Sequence, residues 1–256
     1  MRQPCYQIKK QQLISNPLLH MAHTRYENDW FYYVWKPHNI ATTFGDQPSF
    51  VEELIKTKWN QIKALQENRS LAGEQYFHTI QELGLVNRLD NQTAGLLFFA
   101  KNQIIFDTYK SHQDNDKCDK IYYADLQGKL DLKKFKSARL LFDVQWEKIT
   151  ISSPIYHHKS IPTKMTMQKK HQRGKAHEVD TVIEVLYYNP ENDSSTCRIV
   201  IKKGIRHQIR IHTASMGHPV LGDKLYCPKT LKKPSDKATN LHLRSTGLEM
   251  IRNNQK

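Results

Sequence analysis

A chain of 256 residues is long enough for one large domain, or two closely packed halves, with a proper hydrophobic core. Its 38% hydrophobic and 25% charged residues exclude a disordered polyelectrolyte, and no apolar run reaches the roughly 20 residues of a membrane-spanning helix. Thirty-nine Lys and Arg against 25 Asp and Glu leave a net charge of +14, which favours a polyanionic partner.

The polar start, Met1 to Lys10, lacks the apolar core of a secretion signal. Four dispersed cysteines, Cys5, Cys118, Cys197 and Cys227, form no CxxC pair, which disfavours a zinc ribbon or a disulfide scaffold. The expectation is a cytoplasmic monomer with reduced thiols and no membrane association. The excess charge is uneven. Between Lys129 and Lys175 there are 12 basic and 3 acidic residues, a net of +9, so the other 209 positions supply only +5. A solvated lysine-rich loop would have this composition, and so would a nucleic-acid surface.

Residues 1–28 read as a polar N-terminal arm. Phe31 to Trp35 is an aromatic and β-branched run that predicts a strand, closed by Lys36-Pro37, where proline lacks the amide hydrogen needed for pairing. Ser49-x-x-Glu52 is a capping-box pattern, and Phe50, Leu54, Ile55, Ile62 and Leu65 continue it at helical spacing to about Glu67. Gly84 to Asp90 predicts a loop leading into Gly95 to Ala100, a strand buried on both faces. Ile104 to Lys110 predicts a helix and Ile121 to Leu126 a strand. Ile149 to Ile151 and Met165 to Met167 read as short strands inside the basic stretch. Val179, Thr181, Ile183, Val185 and Tyr187 alternate with a period of two, and Cys197 to Ile201 alternates similarly. Arg206 to Met216 predicts a helix closed by Gly217, with Leu241 to Leu243 as a final strand.

The usual markers of nucleotide hydrolysis, nicotinamide redox and α/β-hydrolase chemistry (GxxxxGK[ST], GxGxxG and GxSxG) do not occur. His207 and His212 are five residues apart, about 140° around a helix, so they do not form a metal-binding pair.

Three segments carry candidate chemistry. Asn87-Arg88-Leu89-Asp90-Asn91-Gln92-Thr93-Ala94-Gly95-Leu96-Leu97 is a polar loop delivered by an apolar strand, which would present Asp90 at a cleft edge. A surface Arg88–Asp90 ion pair is the plainer reading. Lys203 to Arg210, followed by Met216 to Tyr226, places Arg206 and Arg210 four apart. On a helix these form a fork able to grip a carboxylate or a phosphate. In Lys120-Ile121-Tyr122-Tyr123, strand alternation sends the two tyrosines to opposite faces.

Together these segments resemble the RluA-type family of pseudouridine synthases. The family pattern HRLDxxTSGLLL is similar to residues 87–98, KxYxAxVxG to 120–128, and GRTHQIRxHLxxxGHPIxGDxLY to 204–226. Weaker echoes are Lys36-Pro37, Val179 to Leu186 and Leu241 to Leu243. The resemblance implies an α+β catalytic domain over 29–250, with a central mixed, largely antiparallel sheet flanked by helices; the charge count marks a basic insertion at about 129–175, and the short stretch before residue 30 predicts no S4 domain. The resemblance further implies that Asp90 is the catalytic aspartate, acting as nucleophile or base, that Tyr122 stacks on the target uracil and that Arg210 pairs with Asp90. Arg88, Arg206 and His207 are implied RNA contacts, to which the charge count adds Lys169, Lys170 and Arg173. The implied reaction is isomerisation of uridine in structured rRNA or tRNA without metal, nucleotide or redox cofactor. A catalytically inactive RNA-binding protein that kept the fold is the competing class. Asn87 and Ala94 stand where the family has His and Ser. Ile205-Arg206 stands where it has Arg-Thr, a basic residue displaced by one place, or about 100° around a helix.

Overall fold

The computed structural model describes residues 25–43, 49–51, 84–132, 142–145, 148–228 and 240–250. The chain divides into two compact units, Met1–Asn115 and Asp116–Lys256. Of the predicted helix from Ser49 to Glu67, only the start at Phe50 and Val51 lies among the described residues.

In the first unit, β1 (Arg25–Glu27), β2 (Phe31–Lys36) and β3 (Ala94–Ala100) pair antiparallel in that order. The β1–β2 turn is tied by Asn28, whose Oδ1 accepts from the amides of Trp30 and Phe31 at 2.9 and 2.8 Å. Such a side chain replaces ladder partners with its own oxygen, which is why Asn favours turns. Every residue of β3 is buried, as its unbroken apolar composition predicts. Helix α1 (Gln103–Asp114) starts at Asn102, whose side chain accepts from the Ile105 amide. It is longer than its apolar pattern indicates, because the polar residues from Ser111 onward face water. Its buried Tyr109 meets the edge of Phe31.

The second unit is built on a six-stranded antiparallel array in the order β12-β4-β11-β10-β6-β5. These are β4 (Cys118–Gln127), β5 (Phe142–Gln145), β6 (Lys148–Ser152), β10 (Asp180–Asn189), β11 (Ser194–Ile201) and β12 (Leu243–Met250). The pairing of β11 with β4 runs without interruption from Ser194↔Gln127 to Ile201↔Lys120. Ile121, Leu126, Ile149, Ile151, Ile183 and Ile199 are fully buried along these strands. Cys118 and Cys197 are buried free thiols, pushed up to about 11 and about 12 by desolvation, so they behave as small apolar side chains. A smaller three-stranded sheet has the order β8-β7-β9, from β7 (Ile155–His158), β8 (Met165–Thr166) and β9 (Gln172–His177). Helix α2 (Gln208–Ser215) completes the unit. Among the described residues, no helix is long and apolar enough to cross a membrane.

Three expectations need correction. The alternation from Val179 to Tyr187 breaks at a bulge between Val185 and Tyr187, so Thr181 and Ile183 face the core while Tyr187 is 55% exposed. An inserted residue flips every side chain beyond it, and a period count does not detect one. The last strand begins at Leu243 rather than Leu241; His242 instead donates its amide to Leu221 O and accepts from the Asp125 amide. Helix α2 starts at Gln208, two residues after Arg206, because His207 adopts a left-handed backbone (φ 57°) that prevents the helix from extending backward.

Gly222 sits at φ +75°, and a Cβ there would collide with the carbonyl of Asn240. Gly222→Ala is therefore expected to lower stability by about 2 kcal/mol or more, from the combined cost of left-handed strain and overpacking. Urea denaturation monitored by tryptophan fluorescence would check this, and an unchanged midpoint would contradict it.

Candidate active site

Asp90 occupies the first position of a turn closed by the Thr93 amide, which donates to the Asp90 carbonyl at 2.9 Å. Its side chain is half-buried, flanked by exposed Arg88 and Asn91. Four other side chains hold this loop. The Asn87 amide group donates to Leu96 O at 3.1 Å and accepts from Phe98 N at 2.8 Å, suturing the loop to β3. Asn87 thus holds the backbone at the position where it departs from the family pattern. The Thr42 hydroxyl donates to Leu89 O at 2.7 Å and accepts from Leu89 N at 3.1 Å, so one oxygen satisfies both sides of the residue before Asp90. His38 Nδ1 lies 2.8 Å from Gln92 O.

The fourth is Lys36, which is wholly buried. Its three N–H groups match three carbonyls, Pro37 O at 2.9 Å, Ile40 O at 2.8 Å and Asn91 O at 3.2 Å. Burial pulls its ammonium down to about 8, while the negative charge of Asp90 works against that fall. The cation therefore persists at neutral pH as a clamp between the end of β2 and the Asp90 turn. The sequence marks Lys36 as a strand end and a weak family echo but not as a clamp, and nothing in it points to Thr42.

In the second unit, Tyr122 lies on β4, opposite Ile199 of β11 and Ser245 of β12, and is 7% exposed; Tyr123, on the other face, is partly exposed. Arg210 is 1% exposed. Its Nε donates to Asp223 Oδ2 at 2.7 Å and its Nη2 to Asp223 Oδ1 at 2.8 Å. The expected fork of Arg206 and Arg210 on one helix face does not form. Arg206 precedes the helix and is exposed, so the displacement of about 100° around a helix does not apply to it. Carboxylate gripping falls to Arg210 alone, through its bidentate edge. Burial drives Asp223 upward, but the Arg210 hydrogen bond and charge, with the Tyr226 and Leu225 amides, outweigh it and hold the carboxyl below its ordinary range. The Tyr226 ring lies 5.3 Å from the Arg210 guanidinium carbon. Asp223 and Tyr226 are the residues the sequence reading missed here, although both belong to the Gly222-to-Tyr226 end of the third segment.

His207 was expected to face RNA. It is 8% exposed and its Nδ1 lies 2.8 Å from the Tyr226 hydroxyl, which also accepts from the Met165 amide. Burial, then the charges of Arg210 and Arg206, push His207 down to about 3, so its ring is neutral at neutral pH. Lys169 and Lys170 are exposed on a short 3₁₀ turn, Lys169–His171, and Arg173 is exposed on β9. Among the described residues, no group of His, Cys, Asp and Glu could hold a metal ion.

The α+β architecture is that of the pseudouridylate synthases: human RNA pseudouridylate synthase domain containing 1 superposes with TM-score 0.63 at 17% identity, covering 91% of this chain and 84% of its own. The sequence model of the RNA pseudouridylate synthase family matches residues 31–215, and the chain belongs to that family. It is 32% identical over 177 residues to tRNA pseudouridine(31) synthase of Saccharomyces cerevisiae, covering 63% of this chain and 42% of the relative. It is 25% identical over 202 residues to the dual-specificity RNA pseudouridine synthase RluA of Vibrio vulnificus, covering 78% and 67%. The chain spans less than half the length of several other curated relatives it matches.

Two outcomes follow. Asp223→Asn leaves the Arg210 cation buried without its counter-charge and is expected to cost about 3–5 kcal/mol, measured by denaturant unfolding. Because the Asp223 carboxyl is held below its unfolded value, the pair stabilises fully above the ordinary carboxylate range. That contribution disappears as pH falls through the folded value, so the wild-type–mutant difference should shrink in acid. Lys36→Met removes three donors at once, and hydrogen exchange at the amides of residues 89–93 should accelerate at least tenfold; unchanged protection would show that Lys36 does not hold the turn.

Proposed function

We propose that this chain isomerises uridine to pseudouridine in structured RNA, with Asp90 as the catalytic carboxylate. The observation that carries this reading is the four-point fastening of the Asp90 turn by Lys36, His38, Thr42 and Asn87 within the matched family region. A turn tied so heavily to its neighbours suits a group that must meet a sugar carbon within a fraction of an ångström. The reaction breaks the N1–C1′ bond of uridine, turns the freed uracil and joins C5 to C1′; the C5 proton then leaves and N1 takes one up, so the product is an isomer. An ionised aspartate can add to the sugar or remove a sugar proton, and either route needs a carboxylate at neutral pH.

Tyr122 is assigned to stack on the uracil, and Arg210 to neighbour Asp90 and favour its ionised form. The bidentate Asp223 contact supports that assignment, because it fixes the guanidinium plane before substrate arrives. Extruding the target nucleotide costs a few kcal/mol, which stacking at about 1–3 kcal/mol per base and phosphate contacts offset. Arg88, exposed beside the turn, is assigned to meet the opened strand. One relative is named a tRNA enzyme and another a dual-specificity RNA enzyme, which supports tRNA or another structured RNA as the substrate class.

The test is chemical mapping of pseudouridine in tRNA and rRNA incubated with wild type, Asp90→Ala and Asp90→Asn. Both variants should lose product by at least a thousandfold while retaining RNA binding. Equal product from all three would overturn the assignment of Asp90. No product from any, with binding intact, would favour a non-catalytic RNA-binding protein.

A further inference from the structure

The small sheet carries a concentration of positive charge that the isomerisation chemistry does not use. From Lys148 to His177 the chain has seven Lys and Arg, four His and no acidic residue. Its apolar side is accounted for, since Ile155 and Met165 pack with Val179 and Ile211, and Met167, Ile205 and Tyr226 lie against them. Its polar rim is not. His157 of β7 lies opposite Arg173 of β9, and its ring meets that of His177 edge to face at 5.8 Å. Arg206 arrives from the segment before α2, where its Nη1 donates to Pro162 O of the β7–β8 connection. The residue excluded from the helix by the left-handed His207 thus becomes part of this sheet's surface.

These four groups share one electrostatic environment. Desolvation, then the His177 ring and the Arg173 and Arg206 guanidinium groups around it, lower the proton affinity of His157. Lys164 precedes its partner Met165 on β8, and Lys175 follows Arg173 on β9, so the flanking titratable groups are also basic. The nearest acidic residues in sequence, Glu178 and Asp180, lie beyond the end of β9. Among the described residues, neither Arg173 nor Arg206 takes part in an ion pair. Arg173 and Arg206 are exposed, and a Cβ built at Gly174 would meet nothing within 4 Å, so the approach is open. Cations gathered without a counter-charge repel one another, and an anion placed among them relieves that repulsion.

We propose that Arg173, Arg206, His157 and His177 form a composite site for a backbone phosphate of bound RNA, with an affinity that rises as the histidines protonate. The proposal rests on the RNA reading given above and extends it to a specific anchor point. The two guanidinium groups supply permanent charge and bidentate geometry. Desolvation, then the neighbouring guanidinium charges, disfavour protonation of His157 in the free protein. A phosphate reverses the sign of that local field, so RNA binding takes up a proton and tightens as pH falls. Lys169 and Lys170, with His171 stacked on His158 at 5.3 Å, continue the cationic surface along the 3₁₀ turn for the next phosphates.

The experiment uses the full chain and a fluorescein-labelled RNA stem-loop, with affinity measured by anisotropy across a salt series at about pH 8 and about pH 6. Arg173→Gln with Arg206→Gln should weaken binding about tenfold at low salt and reduce the slope of log affinity against log salt by about 0.7–0.9, the signature of one lost phosphate contact. Arg173→Lys with Arg206→Lys should restore the slope, which separates lost charge from misfolding. His157→Gln with His177→Gln should abolish the gain in affinity between about pH 8 and about pH 6. An unchanged slope in the glutamine pair, or a pH response that survives removal of both histidines, overturns the site. RNA binding that is normal but indifferent to these changes refutes this anchor alone. Failure of the wild type to bind RNA refutes the functional reading and this site with it.

Discussion

A guanidinium removed from water must meet its counter-charge in the correct plane, or the fold around it does not form. Arg210 and Asp223 satisfy that demand, and much of the second unit's geometry is arranged around them. The Asp223 carboxylate accepts from Arg210 and from the Leu225 and Tyr226 amides, so the segment after α2 coils around it. Tyr226 then covers the guanidinium and reaches both His207 and the first residue of β8. One buried ion pair therefore registers a helix, a loop and the small sheet against each other.

Two neutral histidines extend the same logic. His212 Nε2 faces the Ser153 carbonyl and its Nδ1 faces the Thr181 hydroxyl, so Nε2 bears the proton and Nδ1 accepts. Burial, only partly opposed by the Ser153 carbonyl and Asp180, draws His212 down to about 4. Thr181 in turn accepts from Gln208, which also donates to Asp180 O. Helix α2 is only eight residues long and almost entirely buried, so it has little room for a wide polar face. Its buried polar side chains, Gln208, Arg210, His212 and Thr213, each have a partner and fix its position where apolar packing alone would let it slide. The first unit uses the same device in miniature, with the Lys36 ammonium replacing an ion pair by three carbonyl oxygens.

The charge of the chain divides according to burial. Arg210 and Lys36 are buried cations held by oxygen acceptors. Arg173, Arg206, Lys169 and Lys170 are exposed, and among the described residues none enters an ion pair. Residue type does not separate these roles. Arg206 and Arg210 are four positions apart and of the same chemistry, yet one is at the surface and the other is in the core. The cause is a single left-handed residue between them, at His207.

Local patterns were sufficient wherever an element owes its state to its own residues. The apolar run of β3, the paired alternation in β4 and β11, and the Gly217 stop after α2, with φ +84°, were all legible as letters. So was the position of Asp90 on a turn ahead of a buried strand. Long-range contacts were not legible. The grip of Thr42 on Leu89 spans 47 residues, the Lys36–Asn91 bond 55 and the Tyr226–Met165 bond 61. Spacing rules carry information over a few residues, since they follow from the pitch of a helix or the pleat of a strand. The sequence by itself determined which residues could do chemistry and which runs must be buried. Only the tertiary structure decided which cations are buried as fasteners and which face outward, because that depends on acceptors brought in from distant parts of the chain.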